Sequence, residues 1–117
     1  MSETISFIVH LPGKPEHREE LESKLLDVLE RMTEEPDFVN TSLHRSKAEP
    51  DTLVVYETWA CSPEYFRSHH LGLPYRQAYE AALPKLLSRE RTIEFLEPLR
   101  TYVKDKKQDS DPAGATR

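Results

Sequence analysis

The chain has 117 residues, 37% hydrophobic and 32% charged, a length and balance that suit one globular domain with its own core. Its 16 basic and 21 acidic residues leave a net charge of −5, which argues against a nucleic-acid protein, whose domain should show a basic face, and against docking on an anionic membrane.

Residues 5–10, Ile-Ser-Phe-Ile-Val-His, are β-branched and aromatic and predict a strand. Leu11-Pro12-Gly13-Lys14-Pro15 breaks it and leads into a helix with Pro15 near its first turn. Glu16, Glu19 and Glu20 sit where the helix dipole favours anions. Leu21, Leu25, Val28, Leu29 and Met32 recur at helical spacing as one apolar face, and Glu35-Pro36 ends the helix. Residues 38–46 and 52–59 predict two further strands, antiparallel across the turn at 47–51.

Ser62-Pro63-Glu64 predicts a helix start, with Ser62 as cap, Pro63 at the first position and Glu64 against the dipole. Gly72 and Pro74 stop this short helix. A further helix runs from Tyr75 to about Leu87 with Ala78, Tyr79, Ala82, Leu83 and Leu86 on its apolar face, and Pro84 should kink or end it. Residues 91–99 predict a last strand, with Ile93 and Phe95 on one face. The domain is read as 1–102, followed by a flexible polar tail at 103–117. The order β-α-β-β-α-α-β implies an α+β fold, an antiparallel sheet with helices on one face. The other face then needs a cover, and a second copy of the chain is the simplest one, so a homodimer is expected.

One cysteine, Cys61, cannot form an internal disulfide, and from the cysteine count no zinc-type cluster is expected. No apolar run approaches the length of a membrane span, and Met1 to Thr4 show no secretory leader, so the cytoplasm is the expected compartment. Only three glycines are present, with no phosphate-binding loop, no G-x-G-x-x-G and no G-x-S-x-G elbow. Nucleotide, flavin and serine-hydrolase readings have no support.

The chemistry-bearing residues gather between Leu53 and Tyr79. Glu57 and Trp59 share strand parity with Leu53 and Val55, so all four should lie on one buried face. A carboxylate there needs a partner or a raised pKa. It could act as a base or orient one, or it could be a structural ion pair with Arg45, with His44 or across a dimer. Trp59 could stack on a flat substrate or donate its indole N–H, or it could be core. Tyr65, Phe66, His69 and His70 should form one helical stripe, with Phe66 in the core and either histidine placed for proton transfer. Adjacent histidines diverge by about 100° and do not readily share an ion, so no metal is expected. Tyr75 and Tyr79, one turn apart, could close a pocket or pack in the core. His10 and His44 fit exposed strand positions.

Glu57, Trp59, His70, Pro74 and Tyr75 resemble the signature of the antibiotic biosynthesis monooxygenase family: a strand ending in Glu-x-Trp, a short helix bearing a His, then a Pro and an aromatic opening the next helix. His70 is the better match than His69, because Leu71 and Pro74 follow it in register. More loosely, the resemblance covers residues 5–99. It implies a ferredoxin-like, dimeric α+β barrel and a cofactor-independent monooxygenase acting on a quinol or polyketide-like phenol with O₂. Trp59 would then bind the ring or oxygen, His70 accept the proton or stabilise the anion, Glu57 orient that His or a nearby Arg, and Tyr65, Phe66, His69, Tyr75 and Tyr79 shape the substrate site. The family's haem-degrading branch would need a Trp where this chain has His70 and a His near Glu80, so the resemblance implies no cofactor. The alternatives are an isomerase or lyase of a small carbonyl compound and a non-catalytic ligand-binding module.

Overall fold

Apolar side chains at every second position of the first strand build the floor of the core. A computed structural model describes residues 3–104, and in it Ile5, Phe7, Val9 and Leu11 of strand β1 (Ile5–Pro12) are all buried. β1 lies between β3 (Thr52–Trp59) and β4 (Thr92–Leu96), and β2 (Phe38–Arg45) flanks β3, giving the order β2-β3-β1-β4 with every pair antiparallel. The β1–β3 register runs from Ile5 opposite Trp59 to Pro12 opposite Thr52. It sets Leu53, Val55, Glu57 and Trp59 on the same face as the β1 core residues, as their parity requires. β2 joins β3 through a turn closed by Ser46 N–H to Thr52 O and Thr52 N–H to Glu49 O.

Helix α1 (Arg18–Met32) covers this face with the expected residues: Leu21, Leu25, Val28, Leu29 and Met32 are buried. Each such burial is worth about 1.5–3 kcal/mol. A separate 3₁₀ turn, Pro15–His17, precedes α1, and the helix stops at Met32, one turn short of Pro36. Helix α2 (Pro63–Tyr65) starts as predicted, with Tyr65 N–H donating to Ser62 Oγ at 3.0 Å. It then widens into a π turn, Phe66–His70, in which Leu71 N–H reaches Phe66 O. Helix α3 (Pro74–Leu86) carries Pro84 in its last turn and continues to Leu86. That turn tolerates proline because only one carbonyl, four residues back, loses its partner. The buried face of α3 is Arg76, Tyr79, Leu83 and Leu86. Ala78, expected inward, is exposed, because the spacing back from Tyr79 reaches Arg76 instead.

The result is a ferredoxin-like α+β fold with helices on one face of a four-stranded sheet. β1 runs two residues past His10, and β4 is shorter than the strand expected over 91–99. Gly13 sits where the chain leaves β1. A Cβ there would meet Asp51 O at 2.8 Å and Leu21 Cδ2 at 2.9 Å, so the close approach of α1 to the β2–β3 turn needs glycine. The uncovered sheet face presents half-buried Ile8, Val54 and Tyr56, with the Tyr56 hydroxyl 3.3 Å from those of Ser6 and Thr58. Val103 and Lys104 are exposed, and the remainder of the predicted tail lies outside the described residues. Among the described residues, no helix is long and apolar enough to cross a membrane.

Candidate functional site

Glu57 is the one acidic side chain that β3 forces into the core. It is 6% exposed, between Phe7 on β1 and Thr41 on β2, and accepts the Trp59 indole N–H at 2.9 Å. Burial pushes its carboxyl above the usual carboxylate range; the Trp59 N–H and the charges of Arg76 and Arg91 pull the other way and offset this only in part. Glu57 faces a cavity between sheet and helices, lined also by Met32, Phe66, Leu71, Arg76, Tyr79 and Arg91. Its volume is about 20 Å³, room for a single water.

The cationic wall is organised by Glu80. Arg91, just before β4, donates from both terminal nitrogens to the Glu80 carboxylate at 3.1 and 2.8 Å, and Arg76 adds a contact at 3.3 Å. Burial opposes the Arg91 charge, but Glu80 outweighs it and raises the pKa of the guanidinium. Arg76 is held from α3 against Met32 Sδ at 3.7 Å, its Nε buried without a partner. Burial pushes the Tyr79 phenol up to about 12, so it faces the cavity as a neutral hydroxyl. Two guanidinium groups against one outer carboxylate leave a surplus positive charge wherever Glu57 carries a proton. Such a site suits a small organic anion.

Beside the cavity lies a dry aromatic stack. Trp59 and His70 are 0% and 1% exposed, with ring centroids 4.3 Å apart. Phe38 and Phe66 each pack on Trp59 at 5.4 Å. His70 Nε2 is 2.9 Å from Asp37 Oδ2. Cys61, also buried, is pushed up to about 11 by burial and by neighbouring Asp37, which leaves it a thiol.

The two rings expected to meet the substrate thus touch each other instead, and Phe38 and Phe66 pack against Trp59. Trp59 has its indole N–H tied to Glu57, and neither it nor His70 lines the cavity. The group that orients His70 is Asp37 rather than Glu57. Glu57 has no ion pair with Arg45 or His44. Those strand-end side chains point away, Arg45 to Glu22 and His44 to Ser42. The expected stripe divides, Phe66 and His70 turning inward while Tyr65 and His69 stack on each other at 4.8 Å in the exposed layer. Tyr79 and Phe66 line the cavity. Tyr75 lies on an outer hollow beside Tyr79, its hydroxyl buried without a partner and its pKa pushed up to about 12 by burial and Glu35.

Sequence reasoning missed Arg76, Arg91 and Asp37. The signal for Arg76 was present: it lies three residues before Tyr79 and seven before Leu83, on the apolar face of α3. Arg91 and Asp37 are loop residues placed only by the packing of other elements.

Comparison with known proteins agrees with this architecture. Among solved structures, Rv0793 from Mycobacterium tuberculosis superposes with a TM-score of 0.75 at 22% identity, over 86% of this chain and 100% of its own. A protein from Caulobacter crescentus CB15 gives 0.75 at 27%, over 85% and 92%. NE2512, a protein of unknown function from Nitrosomonas europaea, gives 0.70 at 25%, over 90% and 97%. No curated protein matches the chain. The profile of the antibiotic biosynthesis monooxygenase family matches residues 4–82, the stretch that carries β1 to most of α3, and the chain belongs to that family.

Proposed function

We propose that the protein is a cofactor-independent monooxygenase that oxidises a small quinol or polyketide-like phenol with O₂. The observation that carries this reading is the buried Glu57 carboxyl, with its raised pKa, facing the same cavity as Arg76 and Arg91. A carboxylate with a raised pKa is a better base than an exposed one. It takes the phenolic proton, and the guanidinium groups hold the resulting anion in a site with little water. The anion passes one electron to O₂. The radical pair then joins at a ring carbon bearing hydrogen, and the peroxide anion takes back the proton held by Glu57 to become a hydroperoxide. Loss of water leaves a new C=O, so one oxygen atom ends in product and one in water, with all electrons drawn from the substrate.

Trp59 serves this chemistry by donating to Glu57, and His70 holds Trp59 through ring packing. A ring is larger than the cavity. Arg91 lines both the cavity and an outer hollow shared with Glu80, Leu83 and Pro84, so parting Arg91 from Glu80 would join the two spaces. The working form is a homodimer in this reading, with the uncovered sheet face around Ile8, Val54 and Tyr56 as its interface. Tyr56→Glu should then sediment as a monomer.

The central test is O₂ uptake by metal-free protein with a panel of quinols and anthrones. Uptake that yields one quinone per O₂ and disappears in Glu57→Gln and Arg91→Met supports the reading. Ring compounds that bind without O₂ uptake, or that are converted without it, would overturn it.

A further inference from the structure

Away from the cavity, two groups of metal-ligating side chains among the described residues share the imidazole of His70. Asp37 arrives from the segment before β2, Cys61 from the turn after β3, and His70 from the end of the π turn. One ligand atom from each lies within 4.8 Å of the other two. His70 Nε2 lies 2.9 Å from Asp37 Oδ2. The backbone braces the group: Ala60 N–H donates to Asp37 O at 2.8 Å, tying the residue next to Cys61 to the segment bearing Asp37. Packing of the His70 ring on Trp59 holds the third member.

A second set shares the same imidazole. Glu35, His69 and His70 also present ligand atoms within 4.8 Å of one another, His69 exposed and Glu35 half-buried. Nδ1 of His70 is buried with no hydrogen-bond partner. Nε2 faces Asp37, so a cation shared with that carboxylate takes the Nε2 lone pair, and the ring proton moves to Nδ1, which no hydrogen bond holds in the other tautomer. The helical divergence of adjacent histidines, which argued against a metal, bears only on His69 and His70 sharing an ion unaided. It does not apply to ligands that converge from separate segments.

The donor set decides the kind of ion. A thiolate, an imidazole and a carboxylate favour a borderline or soft cation over magnesium or calcium. Ligands bound at about 2.0–2.3 Å around tetrahedral zinc lie roughly 3.3–3.8 Å apart, so these side chains reach that geometry with shifts of about an ångström. We propose that Asp37, Cys61 and His70 form a site for a thiophilic divalent cation such as Zn²⁺. Binding forms the metal–sulfur bond and releases the Cys61 proton to solvent; no electrons move. The site shares no residue with the cavity lining, and its occupancy is read without reference to oxygen uptake.

The test uses the full chain, stripped with chelator and titrated with Co²⁺ as a spectroscopic probe, then with Zn²⁺ in competition. One Co²⁺ per chain with a thiolate-to-cobalt charge-transfer band, displaced by Zn²⁺, is the expected result. The band should vanish in Cys61→Ser, and Asp37→Asn should weaken binding at least about 10-fold. Because His70 is packed in the core, these two variants carry the test, with retention of cooperative thermal unfolding as the control. No band in the wild-type chain, or cobalt binding that survives Cys61→Ser unchanged, would overturn the proposal. So would binding abolished by His69→Ala and untouched by Asp37→Asn.

Discussion

Two neighbouring regions on the covered face of the sheet share the Glu57–Trp59 hydrogen bond and the Phe66 ring and differ in their chemistry. The Trp59–His70 stack is dry, aromatic and closed; the Glu57–Arg76–Arg91 region is charged and encloses a cavity. Aromatic rings cluster in cores because they bury large apolar area, so their clustering marks packing. Charges are driven out of cores unless something holds them, so a buried carboxyl facing two guanidinium groups marks chemistry more reliably.

The largest effect that would break this contrast belongs to the stack. Trp59→Ala should cost about 3–5 kcal/mol of stability, read from the denaturant midpoint. A loss below that range would show the stack to be looser than packing implies. On the charged side, Glu80→Gln should cost about 1.5–3 kcal/mol, because Arg76 and Arg91 lose a charged acceptor. It should also weaken the hold on Arg91; unchanged stability would remove Glu80 as the organiser of that wall.

The pH dependence sharpens the comparison further. Glu57 has a folded-state pKa raised above the ordinary value of 4.5, chiefly through burial. Its contribution to stability is therefore complete below the unfolded value and is lost as pH rises through the folded one. Melting temperatures of the wild-type chain should fall relative to those of Glu57→Gln as pH rises above about 4.5. Parallel curves for the two proteins would mean that Glu57 titrates normally. The smallest effect is expected at the rim of the stack: Tyr65, 45% exposed, should tolerate Tyr65→Ala within about 0.5 kcal/mol by chemical denaturation. A larger loss would make the exposed Tyr65–His69 pair part of the core it borders.

Much of the candidate site was legible one element at a time. Strand parity put Glu57 beside Trp59 on the buried face, and the Ser62 cap located the start of the helical segment that brings in Phe66 and His70. The partners were not legible. Asp37 rather than Glu57 meets His70 because the segment before β2 runs back past the end of β3, where Phe38 pairs with Trp59. Arg91 reaches the cavity because β4 pairs with β1 and starts beside α3. Neither relation leaves a trace in local spacing.

From sequence alone came the elements and their inward faces, since periodicities of 3.6 and 2 are properties of the local backbone and need no knowledge of neighbours. The α1 face and the alternation along β1 and β3 follow from that. Which charges meet, where space remains and which ring is sealed were decided by tertiary packing, because helices and strands distant in the chain must first be brought together. A lone indole and a nearby imidazole read alike whether they frame a pocket or fill one; only the volume left between sheet and helices distinguishes the two, and here that volume lies on the side of Glu57.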